Sequence, residues 1–291
     1  MKKITVTILL LALTACLFGC SSGAKDADIV ATTKPVYDFT AYLCNGTGLS
    51  VRQLVTENVS CLHDYTLQVR QMRAIEAADT VVLSGAGLED FLHDALHTAK
   101  SVIDASDSIE LHCGDHHDHE DQGHHHESDP HIWLSVNNAQ KMAENIYIGL
   151  CRQYPECAET FQENLDSLNA EFSKLKAYGE DCLADLTQRN IITFHDGFSY
   201  FAEEWDLTIL KALEEESGSE ASAAELKELI NLVNTNNLTA IFTEENGSTS
   251  AAQIIAKETG ISIYTLSMGM SNKDYFETMY HNIDAVKEAL K

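Results

Sequence analysis

The chain predicts an α/β fold of two parallel-sheet lobes joined by one long helix, and three observations carry that reading. Short apolar runs alternate with amphipathic stretches through residues 27–153. One amphipathic stretch with no strand signal then runs from Pro155 to about Leu186, and the alternation resumes as far as the C-terminus. Strand–helix alternation with short connections implies a parallel sheet with helices on its faces, and a strand-free stretch between two such blocks divides them.

In the first block, "ADIVAT" (27–32) predicts a strand and "VYDFTAYLC" (36–44) a helix after Pro35. "SVRQLV" (50–55) predicts a strand, and "TLQVRQMRAIEAA" (66–78) a helix with Leu67, Met72 and Ile75 on or near one stripe. "DTVVLSG" (79–85) reads as a buried strand, "LEDFLHDALHTA" as a helix, "KSVIDAS" as a strand and "SVNNAQKMAENIYIGLCRQ" as a helix. The middle stretch places Phe161, Leu165, Leu168, Phe172, Leu175, Cys182 and Leu186 at helical spacing, giving a single helix of about eight turns. Gly179 is expected to weaken its C-terminal end. In the second block "NIITFH", "DLTILKAL", "LTAIFTE" and "ISIYTL" predict strands. The helices between and after them are "GFSYFAEEW", "SAAELKELINLVNTN" with Ser222 as its cap, "STSAAQIIAKETG" and "NKDYFETMYHNIDAVKEAL". The expected organisation is a signal over 1–19, a tether over 20–27, a first lobe over 28–154, a linking helix over 155–187 and a second lobe over 188–291. No clear internal sequence repeat is visible.

The chain has 291 residues, 44% hydrophobic and 22% charged, as befits a globular protein, with a formal charge of −26. That charge argues against nucleic acid, whose phosphates need Lys and Arg partners, and suits a surface that attracts cations. The opening "MKKITVTILLLALTACLFGCSSG" has two lysines, an apolar run and then small residues, the form of a secretory signal too short to span a membrane comfortably. It also resembles a bacterial lipoprotein signal, with Cys20 in "LFGC" as the expected lipidation point and Cys16 in "LTAC" as the alternative. Lipidation would hold the protein on the outer face of a membrane, since each buried methylene contributes about 0.8 kcal/mol. Beyond the signal, Cys44, Cys61, Cys113, Cys151, Cys157 and Cys182 form no C-x-x-C pair and are read as small apolar packing groups.

In open parallel sheets, ligands sit beyond the carboxyl ends of strands. Three histidines occupy such places: His63 in "CLHDY", His131 in "DPHIWL" just ahead of a helix, and His195 in "ITFHDGFSYF" at the end of an apolar strand. Neutral imidazoles suit zinc and similar borderline ions, and three of them would leave a fourth position open. The segment 112–128 is Gly- and acid-rich and carries His112, His116, His117, His119, His124, His125 and His126.

The words around these histidines resemble the metal-binding solute-binding proteins of ABC transporters, the zinc- and manganese-uptake group known as cluster A-I. The resemblance rests on "HDY", "DPHIWL", "FHDGFSYF", "IFTE" (241–244) and "YFETMYHNIDAVKEAL", in order and across nearly the whole mature chain. It implies an extracytoplasmic lipoprotein that captures a divalent metal and delivers it to a membrane permease driven by a cytoplasmic ATPase. The metal would sit in a cleft between the lobes, bound by His63 and His131 from the first and His195 from the second. An imidazole at 195, where manganese-type members usually carry a carboxylate, favours Zn2+ over Mn2+, because hard Mn2+ prefers oxygen. The resemblance also implies a monomer and no catalytic activity.

The sequence departs from the family pattern where many members supply an acidic fourth ligand. The stretch here reads "YTLSMGM", and Ser267 stands at that place. The fourth position is open to water, an imidazole from the 112–128 segment or a nearby carboxylate; Glu244 and Glu245 are the obvious carboxylates, Glu244 the one chosen, with Glu215 and Glu216 behind them. Cys61 is a candidate ligand or neighbouring group, and Asp64 and Asp196 are read as orienting or capping groups. The histidines of 112–128 are assigned weak, multiple, accessory metal binding. The rival readings are a manganese-binding relative, a zinc hydrolase built on three histidines and a bound water, and a surface adhesin.

Overall fold

The computed structural model describes residues 27–57, 62, 65–112, 128–213 and 221–291. Two four-stranded, all-parallel sheets account for every strand among them. The first contains β1 (Ile29–Ala31), β2 (Val51–Gln53), β3 (Thr80–Leu83) and β4 (Val102–Asp104) in the order β2-β1-β3-β4. The second contains β5 (Asn190–Thr193), β6 (Thr208–Ala212), β7 (Ala240–Glu244) and β8 (Ser262–Leu266) in the order β6-β5-β7-β8. The orders are equivalent, so the topology repeats although the sequence does not. In each sheet the strand order reverses between the two central strands, where a parallel sheet opens its crevice.

The connecting helices are α1 (Lys34–Leu43), α2 (Val69–Ala77) and the single turn α3 (His93–Leu96), then α4 (Val136–Gln153). Next come α5 (Ala158–Leu183), α6 (Ser199–Glu204), α7 (Ala223–Asn236), α8 (Ser250–Thr259) and α9 (Tyr275–Leu290). Side-chain caps begin several of them. Ser135 accepts from Asn138 at α4, Asp274 accepts from Glu277 at α9, and Ser222 forms a capping box with Glu225 at α7.

The long helix is α5. Its Phe161, Leu165, Leu168, Phe172, Leu175, Cys182 and Leu183 are buried, and they join residues of both lobes in one apolar cluster running from Ile29 to Leu290. The rings of Phe39, Phe172, Tyr275 and Phe276 meet where α1, α5 and α9 converge, with centroids 4.9–5.8 Å apart. Across the same seam the Tyr275 hydroxyl donates to the Trp133 carbonyl at 3.0 Å, and the Trp133 indole donates to the Met268 carbonyl at 2.8 Å.

Three expectations change. Met72 does not lie on the buried stripe of α2; it is 47% exposed, and Gln71, Ala74 and Ile75 face inward. Gln71 can be buried because its amide donates to the Leu54 carbonyl at 2.8 Å and the Tyr65 hydroxyl at 2.7 Å. "LEDFLHDALHTA" forms a 3-10 turn (Asp90–Leu92) followed by the one-turn α3, not a continuous helix. Ahead of it, the buried Glu89 carboxylate turns back to accept from the Ser84 and Gly85 amides at 2.7 and 3.0 Å. Gly179 is not a weak point. It is buried, and α5 continues through it because the absent side chain leaves room for Trp205. Of the cysteines, Cys44 and Cys182 are buried thiols and Cys151 and Cys157 are half-buried; Cys61 and Cys113 lie outside the described residues.

A methyl group on Gly179 would come within 2.2 Å of the Trp205 ring. Gly→Ala in a helix interior ordinarily gains about 1 kcal/mol. Here the overpacking dominates, and Gly179→Ala should lose about 1–3 kcal/mol in urea denaturation. A more stable variant would show that Trp205 yields without cost.

Candidate metal centre

The crevice of the second sheet supplies two of the expected residues. β5 ends at Thr193 and leads through Phe194 to His195, and β7, its neighbour, ends on Glu244. The His195 Nδ1 and the Glu244 Oε2 lie 3.5 Å apart, with side-chain exposures of 17% and 3%. Burial pushes the Glu244 carboxyl up to about 7, and the charge of Glu245 adds to the shift.

His131 arrives from the other lobe. Asp129 and Pro130 precede it, and a 3-10 turn (Ile132–Leu134) leads on to α4. The Asp129 Oδ1 accepts both the His131 backbone amide at 3.0 Å and the His131 Nδ1 at 2.7 Å. A carboxylate only accepts, so Nδ1 carries the proton and Nε2 is the ring's lone-pair nitrogen. Burial raises the Asp129 carboxyl, but hydrogen bonds and charge from His131, with a hydrogen bond from Ser199, outweigh it and hold the group below the usual carboxylate range. The rings of His131 and His195 face each other across the lobes, with centroids 5.4 Å apart and planes at 86°. Gly197 makes this approach possible. A Cβ there would lie 2.8 Å from the His195 ring, 2.9 Å from His131 Nδ1 and 2.6 Å from the Met268 methyl.

The alternative carboxylate, Glu245, is engaged elsewhere. Burial raises it, but Ser267 and Lys273 outweigh that and bring it below its ordinary range; Lys273 Nζ stands 3.1 Å from its Oε1. Ser267, at the family's acidic position, is buried. Asn282 clamps its backbone, accepting from the amide and donating to the carbonyl, each at 2.8 Å. Its hydroxyl serves Glu245 and accepts from the Gly269 amide at 3.3 Å. Glu244 is therefore the carboxylate beside His195.

His112 sits at the root of the histidine-rich segment with both ring nitrogens engaged. Nδ1 is 3.0 Å from the Ser199 hydroxyl and Nε2 is 2.6 Å from the Glu203 carboxylate, while the ring stacks on Tyr200 at 4.0 Å. Ser199 in turn donates to the Asp129 Oδ2, and the Asp129 amide donates to the His112 carbonyl at 3.0 Å. A continuous polar chain thus runs from His112 through Ser199 and Asp129 to His131, tying the flanks of segment 112–128 to α6 of the second lobe. The Asp196 side chain is exposed.

Cys16, Cys20, Cys61, His63, Asp64, His116, His117, His119, His124, His125, His126, Glu215 and Glu216 lie outside the described residues. Sequence reasoning missed Asp129, although its place two residues ahead of His131 is the signal for a short side-chain-to-backbone turn. It also missed His93, Asp94 and His97, the i, i+1, i+4 pattern in "HDALH". Among the described residues these form the one trio of potential metal ligands whose donor atoms all lie within 4.8 Å of one another.

The family described as ZnuA, zinc-uptake complex component A, periplasmic, matches residues 29–289. The zinc-binding lipoprotein AdcA of Streptococcus pneumoniae is 32% identical over 310 residues, covering 99% of this chain. The chain spans 61% of the length of that relative. A crystal structure of ZnuA superposes with a TM-score of 0.80 at 29% identity, over 91% of this chain and all of that one. Zn(II)-bound AdcA from Streptococcus pneumoniae gives a TM-score of 0.77 at 29% identity, over 91% of this chain and 57% of that one. No helix among the described residues is long and apolar enough to cross a membrane. Two equivalent parallel sheets, a shared long helix and a match that runs almost from end to end establish that the chain belongs to the ZnuA zinc-uptake family.

Proposed function

We propose that the chain captures Zn2+ outside the cytoplasmic membrane and delivers it to an ABC permease, held to the membrane by a lipid on Cys20 (Cys16 the alternative) and acting as a monomer. The observation that carries this is the approach of two imidazoles from different lobes, His131 and His195, to a centroid separation of 5.4 Å beside the buried Glu244. His63 completes the proposed set. Imidazoles with one carboxylate form a zinc-type donor set, and tetrahedral bonds of about 2.1 Å put neighbouring ligand atoms about 3.4 Å apart. The 3.5 Å between His195 Nδ1 and Glu244 Oε2 matches that spacing. Because the described cleft donors are not all within 4.8 Å of one another, capture draws the ligand side chains inward, and one ion then spans both lobes. The role is binding without turnover, in keeping with the transport role of the family. A zinc-family match and an imidazole-rich cleft do not favour the manganese alternative.

The test is a chelator competition with a thermal-shift measurement alongside. Zinc should raise the melting temperature at one equivalent and promote no hydrolysis of ester or phosphoester probes. His131→Ala and His195→Ala should each weaken zinc by about a hundredfold or more, and Glu244→Gln by about tenfold or more. Deletion of residues 114–126 should leave tight one-to-one binding intact; its loss would move the site to that segment. Mn2+ binding as tight as Zn2+ would overturn the metal assignment.

The pH dependence has a definite sign. Glu244 titrates at about 7 in the absence of metal because it is buried. Zinc requires the ionised form, so below that pH binding must expel a proton and affinity falls as pH falls. Glu244→Gln should reduce the number of protons released on binding at pH 6, read by calorimetry in buffers of different ionisation enthalpy. An unchanged proton count would remove Glu244 from the ligand set.

Gly197 gives an independent check. Gly197→Ala places a methyl within 2.9 Å of both imidazoles. It should lower zinc affinity by about tenfold or more through displaced ligands, without removing any donor. Wild-type affinity in that variant would mean the rings need not approach this closely.

A further inference from the structure

We propose a second, solvent-open site for a borderline divalent cation such as Zn2+ on the outer face of the β3–β4 crossover, held by His93, Asp94 and His97. At about 100° per residue, positions i, i+1 and i+4 span about 100° of the helix circumference, with His97 between the other two. The rings of His93 and His97 are 5.1 Å apart at 85°, and His93 Nδ1 is 3.3 Å from Asp94 Oδ1. All three donors lie within 4.8 Å of one another. Zinc needs neighbouring ligand atoms about 3.4 Å apart, a contraction that rotation of exposed side chains supplies. These side chains are free to rotate: His93 is 77% exposed and Asp94 is fully so.

The opposite face of the same turn is fixed. Leu92 and Ala95 are buried and pack in a cluster with Val30, Ile75 and Val81. The three donors therefore project from an anchored backbone, while water fills the remaining coordination positions. Two imidazoles and a carboxylate select Zn2+, Cu2+ or Ni2+ over Mg2+ and Mn2+. Isolated, a helix of one turn is unstable; an ion bridging residues four apart closes that turn, so binding and helix order reinforce each other. The site shares no residue with the cleft and stands whether or not the cleft reading does. With only three protein donors and open water positions, its metal exchanges faster than metal in a buried cleft.

The test is carbethoxylation of histidines in the full chain, read residue by residue by peptide mass spectrometry, with and without Zn2+. His281, whose ring nitrogen lies 3.2 Å from the Thr265 carbonyl, serves as internal reference. Zn2+ in excess of one equivalent should slow modification of both His93 and His97 by about fivefold or more, because the metal occupies the neutral nitrogen that the reagent attacks. Mg2+ should give no protection. His93→Ala should abolish protection at His97, His97→Ala should abolish it at His93, and Asp94→Asn should weaken it at both. All three are exposed substitutions that leave the fold intact. Protection at His131 and His195 reports the cleft separately and should be unaffected by these variants. If zinc at millimolar concentration protects neither residue, or if His97 stays protected in His93→Ala, the site does not exist.

Discussion

The geometry of the cleft depends on the seam where Trp133, Tyr275 and Phe172 meet. Trp133 stands two residues beyond His131, and its indole is bonded to the Met268 carbonyl. Met268 packs against Gly197, two residues beyond His195. One buried tryptophan from the first lobe therefore links the surroundings of two histidines that belong to different lobes. Tyr275 locks it further, donating its hydroxyl to the Trp133 carbonyl and its amide to Asp38 of α1 at 3.0 Å. Burial pushes the Tyr275 hydroxyl well up and keeps it neutral, so this anchor does not titrate in any ordinary range. With α5 contributing Phe172 to the same contact, the long helix acts as a spine and not as a loose hinge. Motion during capture and release is then expected in the segments that carry the ligands, not in the packing between lobes.

Two carboxylates near the imidazoles differ in behaviour because their surroundings differ. Asp129 gains hydrogen bonds from His131 and Ser199, and these overcome the cost of burial. Glu244 is buried beside the like charge of Glu245, which raises its affinity for a proton. The first suits a group that orients a ring and fixes its tautomer; the second suits a group awaiting a cation. A divalent ion would restore the balance that burial disturbs at Glu244. Lys273 and Ser267 assist by drawing Glu245 aside, so the serine at the family's acidic position still shapes the site through a neighbour.

Much of this was legible in the sequence, and what escaped shares a physical cause. Periodicity located all eight strands and the long helix, since alternating patterns survive in one dimension. The "DPH" and "FHDG" words pointed to His131 and His195 because local turns position them. His112 was read with the loop because nothing local reveals its partners; Ser199 and Glu203 lie 87 and 91 residues away. Met72 reads as a buried residue because it is apolar, while Gln71 takes that position through hydrogen bonds to Leu54 and Tyr65 outside its helix. Gly179 looked like a helix defect on propensity grounds and is a packing requirement on tertiary ones. "HDALH" carries no burial pattern, because its histidines are exposed.

The repeated topology bears on why the proposed ligands are distributed unevenly. Each sheet opens a crevice between its central strands, and the second uses that crevice for His195 and Glu244. In the first sheet the equivalent place is closed. Glu89, also a buried carboxylate with a pKa near 7, accepts from Thr32 Oγ1 and from the Ser84 and Gly85 amides, and Thr33 is bonded to Ser84 at 2.8 Å. These polar groups are thus paired with one another within the lobe. His131 comes instead from the segment after β4, and the Asp129–Ser199–His112 chain ties it to the second lobe. One lobe presents a corner and the other reaches into it, so the proposed ion would bridge the two.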